Sequence, residues 1–163
     1  MTSVWRIATA SRAYGAADLT GEGAALNPGR WNESGVGLVY TAENRSLAVL
    51  ETLAAIPAMT LPLNRFLVRI DVPEAAWRER QVLEPDEARE RLPTWDAIPP
   101  ASESARYGTG WCRSMRSVLL CVPSVVVPEE QVVLINPGLI EANGIRAQVV
   151  RRFDYAAAAR RAV

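Results

Sequence analysis

The chain has 163 residues, 49% of them hydrophobic, which suffices for one core and places residues 1–163 in the size range of a single domain. Its 18 basic and 18 acidic residues cancel, so no broad field favours nucleic acid or an anionic membrane. Lysine and histidine are both absent; this excludes Schiff-base lysines, Ser-His and Cys-His couples and imidazole metal ligands, and leaves carboxylates, guanidiniums, hydroxyls, phenols and backbone amides for any metal-free chemistry.

In chain order, Val4 to Ala8 predicts a short opening strand, followed by a Gly-, Ala- and Asn-containing connection as far as Asn32. Asn27-Pro28-Gly29 is turn chemistry, setting Arg30 directly after a tight reversal, and Gly37 to Tyr40 reads as a buried strand. Glu43 to Ile56, rich in Ala and Leu with Pro57 as its stop, predicts a helix. In Arg65 to Val72 the residues Phe66, Val68, Ile70 and Val72 alternate with Arg65, Leu67, Arg69 and Asp71, the period of a half-exposed strand whose outward face carries two arginines.

Pro85 to Leu92 predicts a short charged helix, with Asp86 and Glu87 in its first turn. Thr94 to Ala105 reads as loop, Arg106 to Met115 as a helix despite Gly108 and Gly110, and Ser117 to Val127 as a strand interrupted at Pro123. Val132 to Ile135 and Ile145 to Val150 are further strands, separated by a turn at Asn136-Pro137-Gly138, and an Ala-rich helix closes the chain. Strands joined mostly by turns, without a GxGxxG or P-loop, predict an α+β fold and not a doubly wound α/β one.

Cys112 and Cys121 fall in the segments read as buried helix and strand, which predicts two packed thiols and a reducing compartment. MTSVWRIATAS lacks a basic region followed by a long apolar run, and no stretch approaches the ~18 to 20 apolar residues of a membrane span. The expected location is the cytoplasm, away from membranes.

Glu51 is the most informative residue. On the helix read from Glu43 to Ile56, its neighbours three and four positions away are Leu47, Ala48, Ala54 and Ala55. A carboxylate on an apolar face costs several kcal/mol unless it is paired, protonated or at the edge of a cleft. Arg30 and Arg6 are candidate partners, and each also suits a phosphate, because the guanidinium fork makes bidentate charge-assisted bonds and stays charged when partly buried.

The stretch GRWNESGVGLVYTAENRSLAVLE, followed much later by LLCVPSVVVPEEQVVLINP, resembles the RES domain family, named for an arginine, a glutamate and a serine. The resemblance spans roughly Val4 to Pro137. It places Arg6, Arg30, Tyr40, Glu51 and Ser124 on the family's functional positions and implies an ADP-ribosyltransferase-like fold, NAD as substrate, and a toxin paired with an Xre-like helix-turn-helix antitoxin that blocks the active site, with a homodimer within that complex as one possible assembly. On this reading Glu51, Arg30 and Tyr40 are catalytic. Arg6, Arg30, Tyr14, Tyr40 and Ser124 contact NAD, with Ser124 bonding the substrate or orienting an arginine. The chain departs from the pattern at Gln131-Val132 and lacks a histidine after Asn136-Pro137, so a host protein, water and phosphate all stay open as acceptors of ADP-ribose. The competing readings are a ribonuclease-type toxin, disfavoured by the neutral charge, and a non-catalytic interaction module.

Overall fold

A computed structural model describes residues 1–57 and 62–157. The elements run β1 (Thr2–Thr9), α1 (Glu22–Leu26), β2 (Val39–Ala42), α2 (Arg45–Ala55), β3 (Arg65–Val72), α3 (Glu74–Arg78), β4 (Gln81–Val82), α4 (Pro85–Arg91), α5 (Ser102–Ser114), β5 (Leu119–Pro123), β6 (Gln131–Ile135), a 3₁₀ turn (Pro137–Leu139) and β7 (Arg146–Phe153). The strands form one sheet in the order β4-β5-β6-β2-β1-β3-β7. Only the β4–β5 pair is parallel, and the rest are antiparallel. This is the α+β architecture expected from the sequence.

The sheet is weakly joined in the middle. β1 and β3 pair along all eight residues, and β2 pairs with β6 along all four. Between β1 and β2 the register holds one pair, Trp5 with Ala42. Beyond it the last residues of β1 and the first residues of β2 part, and the splayed strands open a gap.

The core follows from strand alternation. One face of the sheet gathers Val4, Ala8, Val39, Val68, Ile70, Leu119, Cys121, Val133 and Ile135 into a single cluster. The opposite face carries two separate clusters. Trp31, Leu38, Trp95, Trp111, Leu120, Val122 and Leu134 pack under α4 and α5, whereas Trp5, Ile7, Ala42, Leu47, Ala48, Leu67 and Tyr155 pack under α2. The division between these two clusters coincides with the β1–β2 gap.

Several boundaries differ from expectation for local reasons. α2 starts at Arg45 because the Asn44 side chain caps it, accepting from the Leu47 amide at 2.8 Å. α5 begins at Ser102, four residues before the predicted start, and runs through both glycines. The strand read over Ser117 to Val127 is confined to Leu119–Pro123, since Ser124 turns the chain through bonds from the Val126 and Val127 amides. β2 lies two residues further on than expected, at Val39–Ala42. β3 is an interior strand, and Leu67 on its supposedly outward face is buried beneath α2. The final helix begins at Tyr155 to Ala157, and its remainder lies outside the described residues. Both cysteines are free and buried, and among the described residues no helix is long and apolar enough to cross a membrane.

Candidate active site

A cleft of about 1180 Å³ occupies the β1–β2 gap, larger than the ~300–1,000 Å³ of most small-molecule sites and roomy enough for a dinucleotide. Arg6 and Ile7 line it from β1, Tyr40 and Thr41 from β2, Glu51 and Thr52 from α2, and Arg30 and Trp31 from the loop after the Asn-Pro-Gly turn. Five of the six residues singled out from sequence, namely Arg6, Tyr14, Arg30, Tyr40 and Glu51, lie on its wall.

Glu51 reaches the cleft because α2 lays Leu47 and Ala48 on the Trp5–Ile7 face and leaves the next turn at the gap. One carboxylate oxygen, Oε1, accepts the Ser124 hydroxyl at 2.5 Å. Ser124 is fully buried, and its oxygen also accepts the amides of Val126 at 3.1 Å and Val127 at 3.0 Å. A serine hydroxyl has two acceptor lone pairs and one proton. With both lone pairs taken by amides, the proton has a single direction available, toward Glu51. Ser124 therefore orients the glutamate, where the sequence reading had it contact substrate or orient an arginine. Glu51 Oε2 has no partner among the described residues.

Arg30 is held at both ends. Its carbonyl accepts from Ser104 Oγ at 2.9 Å, and its Nη1 donates to the carbonyls of Trp95 and Ala97, both at 2.8 Å. Burial pulls the guanidinium below its usual range, opposed by the negative charges of Glu51 and Asp96; it remains a cation at any working pH. Arg6 shares a sheet face with Val4 and Ala8 and donates from Nη1 to the Asp18 carbonyl at 3.1 Å. Burial lowers its pKa as well, with Asp18 and Tyr14 acting in the other direction. Among the described residues neither guanidinium is in a salt bridge. Two half-buried cations thus present unspent donors to a cleft that also holds a carboxylate, an arrangement suited to an anionic ligand that develops positive charge elsewhere.

Tyr40 does structural work with its hydroxyl, which donates to Asn32 Oδ1 at 2.6 Å and accepts the Trp31 amide at 2.9 Å. Burial raises its pKa far above the usual phenol value, so the group stays neutral and its ring remains as a wall of the cleft. The ring end lies so close to Gly29 that a Cβ there would sit 2.8 Å from Cζ. Tyr14 is half-buried on the Arg6 side.

Sequence reasoning missed Asn32, which is 1% exposed. Its Oδ1 also accepts the Gly29 amide at 2.8 Å, while its Nδ2 donates to the carbonyls of Ala24 and Val36 at 2.8 and 3.0 Å. It is the hub that shapes the Arg30 loop. The signal available was its place in Arg-Trp-Asn, since a buried amide with four satisfied bonds is costly to replace. Replacing Tyr40 by Phe should leave the Trp31 amide and Asn32 Oδ1 underpaired and destabilise the fold by about 1–3 kcal/mol, measured as a lowered midpoint of urea unfolding.

The RES domain model matches residues 3–157. The chain belongs to the RES domain family. Curated relatives of this RES domain include the "Prs ADP-ribosylating toxin" of Sphingobium sp. (strain YBL2), 48% identical over 155 residues that cover 94% of each chain. They also include "Toxin Res" of Photorhabdus laumondii, 37% identical over 72% of each chain, and "Toxin Res" of Yersinia enterocolitica, 35% identical over 77% of this chain and 79% of that one. The RES match covers all the cleft residues described above.

Proposed function

We propose that this chain is a toxin that cleaves the nicotinamide–ribose bond of NAD and transfers the ADP-ribosyl unit to a protein. The observation that carries the reading is Glu51, with one oxygen fixed by Ser124 and the other open to a cleft that contains two guanidiniums without salt bridges. The 48% identical relative named for ADP-ribosylation supports it. The chemistry is that of glycoside departure: the bond from ribose C1′ to the nicotinamide nitrogen breaks, its electron pair leaves with nicotinamide, and the sugar gains oxocarbenium character. Glu51 bonds the neighbouring 2′-hydroxyl and stabilises that cation more than it stabilises the ground state. Arg30 and Arg6 grip the diphosphate, and the Tyr40 ring walls the nicotinamide subsite. The acceptor then adds at C1′ and loses a proton.

NAD is the substrate on this reading, and no metal takes part. A cell that makes such an enzyme needs it inhibited, which fits a cognate Xre-like helix-turn-helix antitoxin closing the cleft. Incubation of the purified chain with NAD should release nicotinamide, and Arg30→Ala should raise the KM for NAD at least tenfold. Mass spectrometry after induction should find an ADP-ribose adduct on a host protein, whereas free ADP-ribose or its phosphate with no protein adduct would reassign the acceptor to water or phosphate. Ser124→Ala should lower kcat roughly 10- to 100-fold with a smaller change in KM, since it misplaces the carboxylate without removing it; a wild-type kcat would show that Glu51 needs no such support.

A further inference from the structure

The chain is neutral overall, yet one stretch of its surface is not. Strand register puts Arg65, Leu67, Arg69 and Asp71 of β3 on one sheet face with Arg146, Gln148, Arg151 and Phe153 of β7, where Asp71 lies opposite Arg146 and Leu67 opposite Arg151. Four arginines thus share that face with a single carboxylate, and Asp71 is already taken up by Arg69 at 3.0 Å and by the Ser3 hydroxyl at 2.9 Å. Arg45 of α2 adds a fifth guanidinium at its border, stacked 3.7 Å over the Trp5 ring. Arg146 and Arg151 are exposed, and neither lines the cleft.

The same two arginines sit on an open edge. β7 ends the sheet, and among the described residues nothing pairs with its outer side; the opposite edge strand, β4, is only two residues long. A bulge falls at Val150, between the Val68–Val149 and Leu67–Arg151 pairs, and Val149 and Val150 are 41% and 49% exposed. An open edge offers unpaired amides and carbonyls to any extended chain. A second copy is a poor occupant, because antiparallel pairing of β7 with itself brings Arg146 toward Arg151 and Arg152 of the other chain. A nucleic acid is also disfavoured: outward carbonyls repel phosphate, Trp5 is buried, and Arg151 covers the Phe153 ring, so no free aromatic platform is offered to bases.

We propose that β7 accepts an acidic extended segment of another polypeptide as an eighth strand, with carboxylates at alternate positions meeting Arg146 and Arg151 and apolar side chains of the other face meeting Val149. At ~3.3 Å per residue the two arginines lie roughly 13–16 Å apart once the bulge is allowed for, so an eight-residue strand spans both. The test uses the full chain and a fluorophore-labelled octapeptide alternating glutamate and valine. Its anisotropy should rise saturably at low salt and weaken severalfold as salt approaches ~0.5 M. The β7 amides should gain hydrogen-exchange protection.

The double variant Arg146→Glu/Arg151→Glu should weaken binding at least tenfold, and Arg146→Gln/Arg151→Gln by less, while both keep wild-type nicotinamide release. A peptide with lysine in place of glutamate should not bind. The proposal is overturned if the glutamate peptide fails to bind, if it binds without protecting β7, if charge reversal leaves binding unchanged, or if a labelled single-stranded oligonucleotide binds this face in place of the peptide.

Discussion

Glu51→Gln should lower the rate of nicotinamide release from NAD by at least ~10²- to 10³-fold while leaving unfolding and NAD affinity close to wild type. Glutamine keeps the size of the side chain and an oxygen to accept the Ser124 hydroxyl, so the contact at 2.5 Å survives. The negative charge is lost, and the second oxygen becomes an amide NH2 that donates to the 2′-hydroxyl oxygen where the carboxylate accepted its proton. If that charge acts on the cationic sugar in the transition state, its loss appears in kcat and not in ground-state binding. Single-turnover release of nicotinamide, set beside calorimetric titration with NAD, separates the two. A variant within tenfold of the wild-type kcat would remove Glu51 from the chemistry.

Gly108→Ala should be the most damaging conservative change in α5, against the direction of helix propensity. Alanine ordinarily stabilises a helix interior by ~0.5–1 kcal/mol over glycine. At Gly108, however, a Cβ would lie 1.9 Å from the carbonyl oxygen and 2.9 Å from the carbonyl carbon of Trp31. The obstacle is backbone and cannot rotate away. Either α5 or the Arg30 loop must shift by more than an ångström, straining the Ser104 bond to the Arg30 carbonyl at 2.9 Å and the Glu33 amide bond to Thr109 Oγ1 at 3.0 Å. We expect a loss of about 1–3 kcal/mol or more, with NAD cleavage falling along with it because Arg30 moves. Gly110, one turn-side away, meets nothing within 4 Å, so Gly110→Ala should instead raise the urea midpoint by the propensity gain. Equal effects of the two changes would mean that the close approach does not matter.

This pair of glycines also shows where sequence reading stops. Both count against a helix by propensity, although one is a packing requirement and the other is free, a distinction that depends on the backbone of Trp31, far away in the chain. Alternation located β3, although it set the buried Leu67 on the outward face, and Ala-Leu composition with Pro57 as its stop located α2, whose start at the Asn44 cap went unread. Neither signal revealed that β1 and β2 share one register pair, because a lost pairing leaves no mark on either strand alone.

The candidate site, as the geometry of the cleft outlines it, was legible to a similar depth. Glu51 stood out as a carboxylate among Ala and Leu, and Arg30 as a cation after a turn. The groups that orient them were harder to see. The carbonyls of Trp95 and Ala97 that grip Arg30 are backbone atoms with no residue signature. Ser124 was marked by its resemblance to the RES pattern, but its partner followed only from the turn that directs two amides at its oxygen. Tyr40 carried an expectation of ligand contact, and its hydroxyl proved to be bound to the Arg30 loop.

The most direct measurement is a crystal structure of the Glu51→Gln variant soaked with NAD, which the variant should bind without cleaving. The expected placement is the nicotinamide ribose in the β1–β2 gap, its 2′-hydroxyl within hydrogen-bonding distance of residue 51, and the diphosphate against Arg30 and Arg6. A dinucleotide bound elsewhere, or one in the gap whose nicotinamide ribose lies at the end away from residue 51, would contradict it.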